Sequence, residues 1–196
     1  MSLKTLFISA ILFSHESACL AEEAELTQPL IESRNIAQEF TTKLGGILKN
    51  QIETGGLESA ITVCKTIAPQ LAAEYSNETR VVKRVSLKNR NPVLGVPDSW
   101  EKSTLMAFDE MQQKNEQVAS MEKHSSEEDA QGTWFRYAKA IPTQLLCLQC
   151  HGQPSDIKPN IKALLQREYP NDKAVGYSLG MIRGAVSIKQ KVESAK

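Results

Sequence analysis

Residues 147–151 read CLQCH, two cysteines separated by two residues and followed directly by a histidine. The chain of 196 residues has only four Cys and three His, so this combination is the clearest chemical signal in it. A CxxC pair alone fits a dithiol redox pair, half of a zinc site or a structural disulfide, whereas CxxCH is also the attachment pattern of a c-type haem. The motif therefore predicts a binding or redox site.

The spacing within the motif suits haem attachment. On a helix, Cys147 and Cys150 lie three residues apart on one face, so their sulfurs can form thioethers to two vinyl groups of one porphyrin. His151 follows one step around the helix and can turn its imidazole toward the iron. We therefore expect one covalently bound haem c, with Cys147, Cys150 and His151 as binding residues. A disulfide or a dithiol pair stays open as an alternative.

Two other uses of the motif have less support in the sequence. Zinc would need further ligands, and only Cys64 and His124 remain, neither at the spacing of a zinc finger. A thioredoxin-type pair sits at the start of a helix that follows a strand, whereas here Pro142 precedes the site and no such unit is visible.

The second axial ligand of an iron is not decided by these residues alone. His124 lies in the hydrophilic run MEKHSSEEDA, which is typical of a solvated loop. Methionines at helical spacing are more often core residues than iron ligands. Cys64 lies on an apolar stripe, where a buried thiol is common. The candidates are His124, Cys64, Met106, Met111, Met121 and Met181.

The N-terminus has the pattern of a secretory signal. An apolar run, Leu6–Phe13, is followed by small and polar residues up to Ala21, after which we expect cleavage. Eight apolar residues are too few to cross a bilayer as a helix. Lipid modification of Cys19 is disfavoured because Glu16 stands where an apolar residue is wanted. We expect a single domain comprising residues 22–196 that is periplasmic or otherwise exported.

Charge and cysteine content narrow the partners. The chain has 23 basic and 23 acidic residues and no basic segment with interleaved aromatics, which argues against a nucleic-acid partner. No second apolar run has membrane length, so we expect no transmembrane segment in the mature chain. Cleavage would leave three cysteines, an odd number for an oxidising compartment, so Cys64 needs an explanation.

The elements that must position the motif can be predicted in outline. Apolar residues at three- and four-residue spacing predict a helix from Leu30 to Ile52, ended by Gly55-Gly56. A second helix over residues 57–68 places Cys64 on its inward face, and Pro69 breaks or kinks it.

Strands dominate the remainder of the chain. Residues 79–86 alternate as in a strand, and the stretch LKNRNPVLGVPDS that follows, residues 87–99, predicts an irregular loop. Asp98 and Glu101 form a capping box for the next helix. SSEEDAQG predicts a polar turn between two strands, and a short helix and a final strand end the chain. Helices first and strands later, without a strand-helix-strand rhythm, predict an α+β fold with an antiparallel sheet.

Three separated stretches carry a family resemblance. They are RVSLKNRNPVLGVPDSWE at 84–101, RYAKAIPTQLLCLQCHG at 136–152 and YPNDKAVGYSLGMIRGAVSI at 169–188. Together they resemble the c-type haem domains of PAS-like fold that occur alone in exported proteins or as sensor parts of membrane histidine kinases. The resemblance extends from about Ala60 onward.

This resemblance implies a PAS-like antiparallel sheet with long N-terminal helices. It matches Cys147, Cys150 and His151 to the haem motif of the family. It also implies a cysteine as the distal iron ligand in a segment like AITVCKTIAP, which assigns that role to Cys64. Iron would then be held by His151 and Cys64, and the odd thiol would be explained.

The chemistry of such a site sets the functional expectations. An anionic sulfur ligand stabilises Fe(III) relative to Fe(II), which predicts a low reduction potential. Arg84, Lys88 and Arg90 are candidates for neutralising the haem propionates or the thiolate, with solvated surface charge as the alternative.

These observations favour an exported monohaem c-type cytochrome that transfers electrons or reports redox state to a partner protein not identified by the sequence. The alternative is a haem-based redox or gas sensor that signals through a separate partner protein. An enzyme such as a peroxidase ranks last, because only His124 could supply the base in a distal acid-base pair.

Overall fold

The computed structural model describes the backbone of residues 13–192 and the side chains of residues 28–192. The predicted signal segment, residues 1–21 with Cys19, lies entirely outside the described side chains, and its cleavage stays a prediction. The helices are α1 (Phe13–Thr62), α2 (Ala68–Glu74), α3 (Ser99–Gln113), α4 (Leu145–His151) and α5 (Pro159–Glu168), with a π-helical segment at Val63–Ile67 and a 3₁₀ turn at Val118–Ser120. The strands are β1 (Arg80–Val85), β2 (Glu122–Asp129), β3 (Gly132–Pro142) and β4 (Ile182–Val192).

The four strands form one antiparallel sheet in the order β1-β4-β3-β2. The two central strands, β3 and β4, are the longest and carry most of the buried side chains. With the long N-terminal helix, this sheet confirms the predicted α+β fold class.

The hairpin differs from its prediction in one respect. Asp129 pairs directly with Gly132, so the turn consists of two residues, and most of SSEEDAQG belongs to β2. The predicted hairpin, with a polar turn between two strands, is therefore confirmed, but the turn is shorter than SSEEDAQG, and the prediction of a loop around His124 was wrong. An edge strand with one solvent-facing side tolerates charged residues, so its sequence resembles that of a loop.

Helices cover both faces of the sheet. Successive strand residues point to opposite faces, and each set packs on a different helix. Phe135, Tyr137, Val186 and Ile188 face α1 and α2 together with Val82. Ala138, Ala140, Ala185 and Val85 face Leu105 and Phe108 of α3. A third cluster joins the end of α1 to α5 through Leu57, Ile61, Ile161 and Leu165.

The N-terminal helix is interrupted where the glycine pair predicted a break. Gly56 has φ 74° and ψ −175°, a conformation outside the helical region that glycine adopts at little cost. Beyond it the helix resumes, passes through the π-helical segment and continues as α2. The expected helix over residues 57–68 is confirmed. Pro69, which was expected to break or kink it, instead lies in the first turn of α2, and the chain stays helical to Glu74.

The capping box of α3 is also confirmed. The Asp98 carboxylate accepts a hydrogen bond from the Glu101 amide at 2.9 Å, and the Glu101 carboxylate accepts one from the Asp98 amide at 2.8 Å. Glu101 is buried and binds Lys83 and Ser187 as well, which attaches the first turn of α3 to the sheet. None of the described helices combines the length and apolarity needed to cross a bilayer.

Candidate functional site

A cavity of about 380 Å³ lies between α2, strand β1 and the loop that follows β1. Its volume is within the range of small-molecule and cofactor sites. The residues on its wall that carry chemistry are Cys64, Arg84, Arg90, His151, Tyr169 and Arg183. Ala68, Ala72, Val82 and Ile141 supply apolar surface between them.

Cys64 reaches this cavity from the π-helical segment. The Ala68 amide bonds to the Val63 carbonyl, five residues back, instead of the usual four. Pro69 accounts for the widened turn, because its ring has no N–H and would collide with the carbonyl four residues before it. π-Helical turns of this kind are frequent at functional sites. The thiol is half-buried, in agreement with the inward face predicted for it.

The CLQCH motif is helical, as the haem interpretation requires. Helix α4 places Cys147 and Cys150 three residues apart, and it ends at Gly152, whose amide bonds to the Leu148 carbonyl at 2.9 Å. A Cβ at Gly152 would lie 2.5 Å from that carbonyl oxygen, so only glycine fits there. Burial raises the pKa of the Cys150 thiol to about 11. The three cysteines within the described side chains are all free thiols.

His151 is held in an orientation that leaves one ring nitrogen available. Its Nδ1 lies 2.7 Å from the Ala174 carbonyl, which can only accept, so Nδ1 carries the hydrogen and Nε2 keeps its lone pair. Burial lowers the pKa of His151 well below its usual value, and the charges of Arg183 and Arg90 lower it further. The imidazole is therefore neutral and can bind a metal through Nε2.

Arg90 holds together the segments that surround His151. Its Nε is 2.9 Å from the Asp172 carboxylate in an ion pair with little solvent exposure. Its Nη2 donates to the Cys150 carbonyl at 2.6 Å, and it lies 3.4 Å from the carbonyl of Ala174. The charge of Arg90 is thus already compensated. Arg90 therefore stabilises the position of α4 relative to the segment that contains Asp172 and Ala174. It is a weaker candidate for neutralising propionates than the sequence suggested.

We expect Arg90→Ala to lower the free energy of unfolding by about 3 kcal/mol, because it leaves the Asp172 carboxylate buried without its partner. Denaturant unfolding followed by circular dichroism measures the change. Arg167→Ala is the matched control, since Arg167 forms an exposed pair with Glu168 and its loss should cost less than about 0.5 kcal/mol. Equal effects of the two variants would contradict the bracing role.

Arg183 is a site residue that the sequence analysis missed. It lies in the buried strand β4, and its Nη1 donates to the Ser86 hydroxyl at 3.2 Å. Ser86 in turn donates to the Arg183 carbonyl at 2.8 Å. The guanidinium carbon lies 5.4 Å from the centre of the Tyr177 ring. Only the pairing of β4 with β1 brings this arginine to the cavity, so its position in MIRGAVSI offered no signal.

Arg84 and Lys88, the other two basic residues named from the sequence, occupy different positions from each other. Arg84 lines the cavity, whereas Lys88 extends over the Tyr177 ring at 4.5 Å from its centre.

Asn91 has a structural role that the sequence did not reveal. Its side-chain oxygen accepts hydrogen bonds from the amides of Val93 and Leu94, both at 2.9 Å. These bonds shape the loop at the cavity wall.

The alternative distal ligands lie elsewhere. His124 is exposed on β2 and stacks on Phe135 at 5.6 Å between ring centres. Met121 is buried in the cluster beneath α3, and Met106 is half exposed. Of the candidates named from the sequence, all of which are described in the structure, Cys64 alone lines the cavity together with His151.

Gly184 allows β4 to approach β1 at the cavity. It has φ 157°, and a Cβ there would lie 2.3 Å from the Val85 carbonyl oxygen. We expect Gly184→Ala to destabilise the fold by about 3 kcal/mol, since backbone must move. Gly45→Ala is the matched control: nothing lies within 4 Å of its Cβ position, and the helix should gain about 0.5–1 kcal/mol. Thermal unfolding of both variants measures this difference, and a neutral Gly184→Ala would contradict the close approach.

Fold and site together define an α+β protein whose sheet and helices enclose a cavity with one cysteine and one neutral histidine on its wall. The chain belongs to the Tll0287-like family, whose sequence profile matches residues 14–190. Among solved structures, it is similar to the crystal structure of the cyanobacterial heme-protein Tll0287. The TM-score is 0.59 at 21% identity, over 86% of this chain and 98% of that one. No curated protein matches the chain.

Proposed function

We propose that this chain is an exported monohaem c-type cytochrome that transfers electrons or reports redox state. In this proposal one haem c is bonded through Cys147 and Cys150, and its iron is held by His151 and Cys64. The observation that carries the proposal is that Cys64 and His151, remote in sequence, line the same cavity. The similar solved structure is that of a heme-protein, which adds support for haem as the cofactor.

The residues of the site fit a haem in three respects. His151 is neutral, and its Nε2 is free of hydrogen, as an axial ligand must be. The other ring nitrogen, Nδ1, donates a hydrogen bond to the Ala174 carbonyl, and this fixes the direction of the imidazole. The cavity combines apolar walls with arginines, which suits a flat apolar ring bearing carboxylates.

Haem would supply one-electron redox chemistry, while this chain supplies orientation and electrostatics. Arg90 holds the carbonyl of Cys150, and the Ala174 carbonyl fixes His151. We infer a carrier or reporter rather than an enzyme such as a peroxidase, because His124, the candidate for a distal base, is exposed on β2 and does not line the cavity. We also propose that the sheet is PAS-like and that the protein is periplasmic. The signal-like N-terminus supports this location.

Mass spectrometry of the full chain, produced in a host able to attach haem, tests the proposal. We expect the mature protein to gain the mass of one covalently bound haem and to show a c-type absorption spectrum. The same mass measurement locates the N-terminus and so tests cleavage after Ala21. A colourless protein with three free or oxidised thiols, despite working attachment machinery, would refute the proposal.

A haem-based sensor is the second candidate, because of where Cys64 lies. The π-helical segment carrying Cys64 is continuous with both α1 and α2, so any movement of this residue acts directly on those helices. Exposing the reduced protein to carbon monoxide separates the candidates. Rapid gas binding together with a change in circular dichroism favours sensing, whereas failure to bind the gas favours electron transfer.

A further inference from the structure

Among the described side chains, Arg183 is a buried cation without a counter-ion. It is 8% exposed, and its Nε has no hydrogen-bond partner. Its Nη1 donates to the Ser86 hydroxyl, and its guanidinium carbon lies 5.4 Å from the centre of the Tyr177 ring. Within residues 28–192, no carboxylate forms an ion pair with Arg183.

The same cavity wall holds a second uncompensated arginine. Arg84 lines the cavity and forms no ion pair within the described part of the chain. Arg90, by contrast, is paired with Asp172. Burial lowers the pKa of Arg183 to about 10, with the charge of Arg84 contributing, so the guanidinium is still protonated at neutral pH. The cavity therefore contains two positive charges that no carboxylate of the described side chains neutralises.

A buried, unpaired guanidinium is costly, and an anion inside the cavity would offset that cost. The shape of the group indicates which anion fits. A guanidinium presents N–H donors in a planar fork that matches the two oxygens of a carboxylate. A thiolate at Cys64 would offer a single acceptor atom and would use this fork less fully. Ser86 holds Nη1 and leaves Nε unpartnered.

We propose that Arg183, assisted by Arg84, binds the carboxylate groups of the tetrapyrrole, that is, the haem propionates. This assignment rests on the proposed function and adds a specificity site to it. Arg183 is then a binding residue on the cofactor side chains, distinct from the iron ligands. Ser86 and Tyr177 position its guanidinium.

Reversible binding of haem and of haem dimethyl ester to the full chain tests the assignment. The Cys147→Ala/Cys150→Ala background prevents covalent attachment, so absorbance titration gives both dissociation constants. With Arg183 present, we expect haem to bind about tenfold or more tightly than its diester. Arg183→Met should remove this preference, Arg183→Lys should keep part of it, and Arg84→Met should reduce it less, since Arg84 is more exposed.

Arg167→Met is the surface control and should keep the full preference, because Arg167 is exposed on α5. The partial preference of Arg183→Lys separates a loss of charge from a loss of fold. Equal binding of haem and its diester by the chain with Arg183, or full preference in Arg183→Met, would overturn the assignment. So would an effect of Arg183→Met that disappears in a Cys64→Ala background, because the anion would then be the thiolate.

Failure of this test is distinct from failure of the proposed function. Covalent haem on the wild-type chain, measured by mass spectrometry, stands or falls without reference to Arg183. A wild-type chain that carries haem, combined with a diester bound as tightly as haem, would refute the propionate site alone.

Discussion

We expect the Cys147→Ala/Cys150→Ala variant, produced beside haem attachment machinery, to lack covalently bound haem altogether. Each thioether forms between one cysteine thiol and one vinyl group. α4 contains no cysteine besides these two, so the double variant has no thiol there for attachment. Mass spectrometry of the denatured protein measures the loss, since denaturation releases haem that is held only by iron ligands.

The single variants make this prediction sharper. Each should retain one thioether and hence a covalent haem, with an absorption band shifted because one vinyl group stays unsaturated. Cys150 also packs against the cluster between α1 and α5, so Cys150→Ala should be less stable than Cys147→Ala. Cys64→Ala is the control and should keep the full covalent mass gain. Covalent haem in the double variant would contradict the attachment sites.

The second large effect is expected at Cys64. In Cys64→Ala the ferric absorption spectrum should change and the reduction potential should rise by tenths of a volt, because axial ligands set haem potentials over a range of about 0.8 V. The physical reason is that a thiolate stabilises Fe(III), and its removal deletes that preference. Spectroelectrochemical titration of the purified holoprotein measures the potential directly.

Two further variants separate ligation from helix structure. Cys64→Met offers a neutral sulfur at the same position, so its potential should also exceed that of the wild type. Thr66→Ala alters an exposed residue of the same π-helical segment and should leave the potential unchanged. An unaltered ferric spectrum and potential in Cys64→Ala would show that iron takes its second ligand elsewhere.

The sequence was most informative where structure depends on neighbouring residues. Asp98 and Glu101 satisfy the first amides of α3 from three residues away, so the cap is visible in the sequence. Gly56 interrupts α1 by adopting a positive φ, which glycine does at little cost, so the break is also visible in the sequence. Cys147 and Cys150 lie within a single short helix, so their spacing on one face can also be read from the sequence.

Prediction was weaker where polar residues occupy an edge of the sheet. β2 has no apolar residue, and its sequence resembles a turn; an edge strand of this kind, paired on one side only, tolerates such a sequence. Its pairing with β3 stabilises it as a strand all the same. His124 was placed in a loop for this reason.

The composition and spacing of CLQCH, by themselves, determined the class of chemistry expected of this protein, because attachment needs only a few residues in one turn of helix. The tertiary structure alone decided which distant side chains share a cavity with that motif. It placed Cys64 and His151 on the wall of one cavity, paired Arg90 with Asp172 and brought Arg183 to the same wall. Such contacts depend on strand register and helix packing across the chain, which no local pattern encodes.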